Sequence, residues 1–225
     1  SDPTFMRNYN PSMPTDQLSK YWTSQHGQLL KKNDKKVAVC SSCHGAHGVL
    51  PAKQPKSMVY PTNVPGTCGE CHGDKDYMAG YDIPTNQYEQ YIDTLNVHGN
   101  ALLVKRDLGS PVCNDCHGNH GANPPGVNNV HQICAQCHAQ NAKFYENSPH
   151  LDAFEALEVP ECTFCHQNSP DIDNPMANIH TIVKPEYTLV GTHEKAVCIH
   201  CHSDGDDGWE TAETIYKWRH SLETS

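Results

Sequence analysis

Apolar residues are thinly spread along this chain, and only three stretches place them at helical spacing. Leu18, Tyr21, Trp22, Gln25 and Leu29 share one face after Thr15, a good N-cap residue, and predict a helix over 16–30. Tyr88, Tyr91, Ile92 and Leu95 do the same over 86–97. Trp209, Ala212, Ile215, Tyr216 and Leu222 follow Asp206 and Asp207 and predict a C-terminal helix over 208–222. A shorter helix is expected around 135–147. Strand alternation is weak, and residues 55–66 and 122–129 read as loops. The expected fold class is mostly α with extensive coil and little β. The longest apolar runs, such as Ala-Leu-Leu-Val at 101–104, are far too short to span a membrane.

Composition deepens the puzzle before it resolves it. Only 36% of residues are hydrophobic, mean hydropathy is −0.68, and there are 15 glycines and 16 prolines. By themselves such numbers describe a chain with too little apolar matter for a core. The 12 cysteines change the picture, because every one lies in a Cys-x-x-Cys-His motif. The six motifs are Cys40, Cys43 and His44; Cys68, Cys71 and His72; Cys113, Cys116 and His117; Cys134, Cys137 and His138; Cys162, Cys165 and His166; Cys198, Cys201 and His202. This spacing is that of c-type haem attachment, two thioethers to one porphyrin and a histidine to its iron. Six covalently attached haems c are therefore expected, and their apolar plates are expected to serve as the core, with short helices and coil around them. Zinc sites, disulfide frameworks and redox dithiols are the rival readings. None of them requires a histidine directly after the second cysteine six times in six.

The histidines outside the motifs expose a threefold repeat. His26, His98 and His150 each follow an aromatic residue and precede a motif, at Cys40, Cys113 and Cys162. His47 and His120 each lie three residues past a motif histidine, in matching Cys-His-Gly-x-His-Gly sequences. In the third copy residues 167–178 read as an insertion, with His180 the displaced equivalent. Each copy closes on a second motif, at Cys68, Cys134 and Cys198. The expected organisation is a single hexahaem domain of three dihaem repeats, about 20–90, 91–144 and 145–225. Six repeated histidines for six irons imply bis-histidine ligation, although the pairing stays open and each of the six also has a structural role as its alternative. His131, His193, His200 and His220 are left over, the last resembling the start of a further unit. Met6, Met13, Met58, Met78 and Met176 do not recur with the repeat and are poor ligand candidates.

A formal charge of −10 argues against a nucleic-acid partner, which wants basic patches. It either steers a basic redox partner or serves solubility alone. Covalent haem attachment implies export, to the periplasm or the cell surface; the Ser-Asp-Pro start is compatible with a processed chain. Irons closed by two histidines do one-electron chemistry, so the leading expectation is electron transfer, with a redox protein or an extracellular acceptor as partner, and no enzymatic activity. The alternative is a multihaem oxidoreductase acting on a small nitrogen or sulfur compound at an open iron, and a third class is a haem-bearing scaffold for another redox enzyme.

Segments 43–48, 63–72 and 148–154 resemble the multihaem c-type cytochromes with doubled Cys-x-x-Cys-His motifs, and the resemblance runs over about 20–215. It implies closely packed, mostly bis-histidine haems along a path of electron transfer, and it supports His26, His47, His98, His120 and His150 as ligands. The insertion leaves His180 the least supported. Some proteins of this kind are respiratory carriers, and some polymerise outside the cell into filaments in which one subunit ligates a haem of the next. For such a head-to-tail homopolymer, His26 and His220 are the candidate crossing ligands.

Overall fold

Each histidine that opens a repeat sits in the first turn of a helix, and the chain interrupts a longer apolar pattern to put it there. In a computed structural model the protein is mostly helical, 49% helix against 1% strand. The structure describes residues 2–126, 129–167, 174–184 and 197–223, with side chains in the last helix only for 207–214 and 217. The helices are α1 (Pro3–Tyr9), α2 (Gln17–Tyr21), α3 (Gln25–Lys31), α4 (Cys40–His44), α5 (Val64–His72), α6 (Gln87–Ile92) and α7 (Val97–Leu103). After them come α8 (Cys113–His117), α9 (Val130–Glu146), α10 (His150–Leu157), α11 (Glu161–His166), a 3-10 turn (Val197–His200) and α12 (Asp207–Glu223). The bridge between Gln167 and Ile182 is the only β pairing among the described residues.

The helix expected over 16–30 is thus two helices, and the one expected over 86–97 stops at Ile92, with a further helix beginning only at Val97. Ser24 stops the first by donating its hydroxyl to the Tyr21 carbonyl at 2.6 Å and starts the second by accepting the Gly27 N–H at 3.0 Å. Asn96 starts α7 by accepting the N–H groups of His98 and Gly99, both at 3.0 Å. Side-chain oxygens at an N-cap satisfy backbone donors that the first turn leaves open. In each break a glycine follows the histidine, and the chain folds back against it. A Cβ on Gly27 would lie 2.0 Å from the Tyr21 carbonyl oxygen, and one on Gly99 1.8 Å from that of Tyr91. The third opening repeats the first in part, since Ser148 donates to the Tyr145 carbonyl at 2.7 Å just before His150.

The helix expected around 135–147 is longer than its pattern, running from Val130 through the fourth motif, with non-helical angles at His138. The 55–66 stretch is a run of turns until α5 begins at Val64, with Pro65 at its start, where a missing N–H costs nothing.

Two compact units contain the chain. One is Ser1–Thr85 with Arg106–Pro125; the other is Asn86–Lys105 with Gly126–Ser225. Each therefore carries three of the six motifs, and the second sequence repeat contributes to both. In the first unit α5 packs on α8, and Val64 and Val112 are buried. In the second, Phe154, Val159, Phe164 and Val197 form a small core that joins α10, α11 and the 3-10 turn, with Tyr145 and Cys165 against it. Beyond these, side chains cover little. The accessible surface is 14480 Å². A folded 25.0 kDa chain exposes about 10,000 Å², and two separately folded halves about 12,000 Å².

Candidate haem-binding sites

Five motifs lie on α-helical turns, in α4, α5, α8, α9 and α11. The sixth starts on the 3-10 turn and closes with the His202 N–H on the Cys198 carbonyl at 2.9 Å. A helical turn puts positions i, i+3 and i+4 on one face, so both cysteines and the histidine of a motif present themselves together. None of the twelve cysteines is in a disulfide. Among the described residues no three His, Cys, Asp or Glu side chains converge as a metal site made of protein ligands alone would require.

Four motif histidines face a second histidine ring across a nearly constant gap. The ring centres are 6.1 Å apart for His26 and His72, 6.1 Å for His44 and His120, 6.2 Å for His98 and His138, and 6.1 Å for His150 and His202. Ordinary aromatic contacts reach this separation too, as Tyr145 and Phe154 do at 6.2 Å; what sets these four apart is that each joins a motif histidine to a second histidine. The separation also fits two imidazoles bound to one metal. A metal–nitrogen bond of about 2.0 Å plus about 1.1 Å to the ring centre, doubled, gives about 6.2 Å. The angles between ring planes differ widely: 53° for His26/His72, 16° for His44/His120, 31° for His98/His138 and 75° for His150/His202.

The pairs follow a register. The first histidine of each repeat faces the second motif of the same repeat: His26 with His72, His98 with His138, His150 with His202. The first motif is served differently, because His44 faces His120 of the following repeat. His120 lies three residues past His117, yet its ring is directed to another motif. Its loop is docked on the break between α2 and α3. The Gln25 N–H donates to the Ala122 carbonyl at 3.0 Å, and the Asn123 N–H to the His117 carbonyl at 2.9 Å. The loop of His180 is held by the same two bonds in the second unit. The Val97 N–H donates to the Ile182 carbonyl at 2.8 Å, and the Val183 N–H to the His166 carbonyl at 2.6 Å. His180 is thus placed on the break between α6 and α7 as His120 is on the earlier one, and its backbone is fixed by Gln90 and Asn96. His47 stands apart. It is exposed, and among the described residues no hydrogen bond, ion pair or ring contact involves its side chain. His193 and the side chain of His220 lie outside the described residues. His200 is exposed.

Burial lowers the pKa of His26, His72, His98, His117, His120, His150 and His166, and so favours the neutral imidazole that a metal needs. The Nδ1 of His117 lies 3.3 Å from the Asn123 carbonyl oxygen, which leaves its other nitrogen for a ligand. Successive motifs adjoin within each unit. The Cys113 thiol beside Cys68 and the Cys162 thiol beside Cys134 push the Cys68 and Cys134 thiols up, and burial adds to it. Burial pushes the Cys165 thiol up to about 12, with Cys198 and Cys201 adding to it.

Two features escaped the sequence reading. One is the cap-x-His spelling, Ser24-Gln25-His26 and Asn96-Val97-His98, which N-cap preferences alone would have found. The other is His131, left over by the repeat. It is buried, with its backbone N–H on Glu161 Oε2 at 2.6 Å and its Nδ1 2.8 Å from Glu161 Oε1. Because Glu161 directly precedes Cys162 and His131 lies three residues before Cys134, the pair clamps the fourth and fifth motifs together. No signal in the sequence links these two positions.

The residues fit haem: cysteines and histidine on one helical face, a second ring at the metal-bridging distance, and a chain whose side chains leave much surface for apolar plates to cover. In comparisons with known proteins, the chain matches no family model, no curated protein and no solved structure. Among the described residues no helix is long and apolar enough to cross a membrane.

Proposed function

We propose that this protein is an exported electron carrier that holds six haems through its Cys-x-x-Cys-His motifs, a multihaem c-type cytochrome acting in the periplasm or at the cell surface. The observation that carries this reading is the set of four opposed histidine rings, each joining a motif histidine to a second one at 6.1–6.2 Å. Held between two imidazoles, an iron supplies one-electron Fe(III)/Fe(II) chemistry and offers no open position to a substrate. The chain's part is positional. The caps at Ser24 and Asn96 aim His26 and His98, the docked loop aims His120, and the Phe154–Phe164 core supports His150. The adjoining cysteines keep successive motifs of a unit in a row, which supports transfer from site to site.

A haem assay on the purified protein tests the reading. Six haems per chain and a wholly low-spin ferric spectrum are expected. Bound zinc, or twelve reactive thiols, would refute haem attachment. A high-spin component that persists in the assembled protein would favour the oxidoreductase instead.

The finer proposal is a head-to-tail polymer, and the register of the rings supports it. His26 is engaged opposite His72 of its own chain, so the crossing ligand is sought elsewhere. In this register a first motif takes its second ring from the following repeat, as His44 does from His120. The first motif of the third repeat is the one at His166. Its following repeat in a polymer is the first repeat of the next copy, whose equivalent ring is the exposed His47. His47→Ala is then expected to dissolve polymers and turn one haem high-spin; polymers that survive the change would refute this assignment.

A further inference from the structure

We propose that Asp206 is a positioning residue that lowers the reduction potential of the site at Cys198 and Cys201 through His202. The inference rests on the haem reading above. The His202 ring faces His150 at 6.1 Å on one side, while its Nδ1 lies 3.3 Å from Asp206 Oδ1. The ring has no freedom to leave this bond, because Gly208 closes on it: a Cβ there would fall 2.1 Å from both Nδ1 and Cε1. The carboxylate is equally fixed. Oδ2 accepts the Ser203 N–H at 2.8 Å and Oδ1 the Trp209 N–H at 2.6 Å, so Asp206 caps the start of α12 and holds the turn after the motif.

Among the described residues this is the only carboxylate within ion-pair distance of a motif histidine. The comparable site at His117 uses a neutral backbone carbonyl, that of Asn123 at 3.3 Å. A carboxylate on the far nitrogen of a ligating imidazole makes the ligand more basic and favours the higher charge on the metal. It adds one negative charge beside the site in both oxidation states, and that charge stabilises Fe(III) more than Fe(II). The side chains of His202 and Asp206 are 32% and 41% exposed, so solvent screens part of the effect.

The test is Asp206→Asn in the full chain with its haems. Asparagine caps a helix as well as aspartate does, so its one oxygen keeps the bond from the Trp209 N–H while the charge is removed; its amide nitrogen cannot accept the Ser203 N–H, and the haem count checks that the motif turn holds without that bond. Glu213→Gln is the control. It removes one charge from the same helix, where among the described residues Glu213 pairs only with Lys217, at 3.0 Å. A spectroelectrochemical titration with chemical mediators follows the one-electron reduction steps, beside a haem count. In Asp206→Asn one step should move to higher potential by about three- to tenfold in its equilibrium constant, tenfold being about 59 mV for one electron. The other steps and the control should stay in place. An unmoved titration with six haems present, or an equal shift in Glu213→Gln, would overturn the role of Asp206 alone. A wild-type chain without haem would overturn the six-site reading and this inference with it. Should Asp206→Asn lose the haem, Asp206→Ser, which keeps a cap acceptor, repeats the measurement.

Discussion

Replacing His120 by alanine should open the site at Cys40 and Cys43 and leave its sequence neighbour at Cys113 and Cys116 closed. His120 follows His117 by three residues, yet its ring centre is 6.1 Å from that of His44, with the two planes 16° apart. Two metal–imidazole bonds account for about 6.2 Å, so the ring is in place without rearrangement. On the six-haem reading, loss of this one ring should convert about one-sixth of the iron to high-spin. The plane angle identifies which one. Near-parallel imidazoles split the two π-type d orbitals of a low-spin ferric iron, and near-perpendicular ones leave them close in energy. His44/His120 should therefore give the most rhombic paramagnetic resonance signal, and His150/His202, at 75°, the one with the largest g value. His120→Ala should remove the first and spare the second, and His150→Ala should do the reverse. A wholly low-spin spectrum from His120→Ala, or loss of the large-g signal in its place, would refute the assignment.

The remaining predictions concern how the rings are held. Gly99→Ala forces a methyl group into the Tyr91 carbonyl and should destabilise the protein by about 2–3 kcal/mol in a denaturant titration; a neutral result would mean that the close approach is not real. Glu161→Gln weakens the buried contact with His131 and should cost about 1–3 kcal/mol, read the same way.

Local chemistry was the legible part of this chain. The motifs name their own residues, and the C-terminal helix follows from its cap and apolar face, Asp207–Glu223 against the expected 208–222. The pattern over 16–30 runs through the break at Ser24 because apolar periodicity continues while the cap chemistry stops the helix, and the pattern over 86–97 overruns the end of α6 because Leu95 keeps the spacing past Ile92. What the sequence left hidden is non-local. His120 opposite His44 depends on a loop docked by two backbone hydrogen bonds, and backbone bonds leave no residue signature. The clamp of Glu161 on His131 joins a residue that the repeat pattern treats as surplus to one that it ignores.

Why a ring is borrowed from the next repeat follows from direction and not from chain entropy. The segment closed between His44 and His120 is less than twice the length of that between His26 and His72, and doubling a loop costs only about 0.6 kcal/mol. Such a difference is too small to choose a partner. Direction is decisive. His120 lies in the loop after α8, three residues past His117, and its ring faces His44. That loop is docked on the break between α2 and α3, and the docking sets which motif the ring serves. The first repeat has such a loop at residues 45–50, and His47 on it is exposed, with Val49 beside it 59% exposed. His47 holds the matching position past His44, and His44 already faces His120. Exposure is what a ligand and its docking loop would show when the repeat they serve belongs to another copy. Covering Val49 and closing a sixth low-spin iron should then occur together on assembly, and a protein that polymerises with Val49 still open to solvent would break that link.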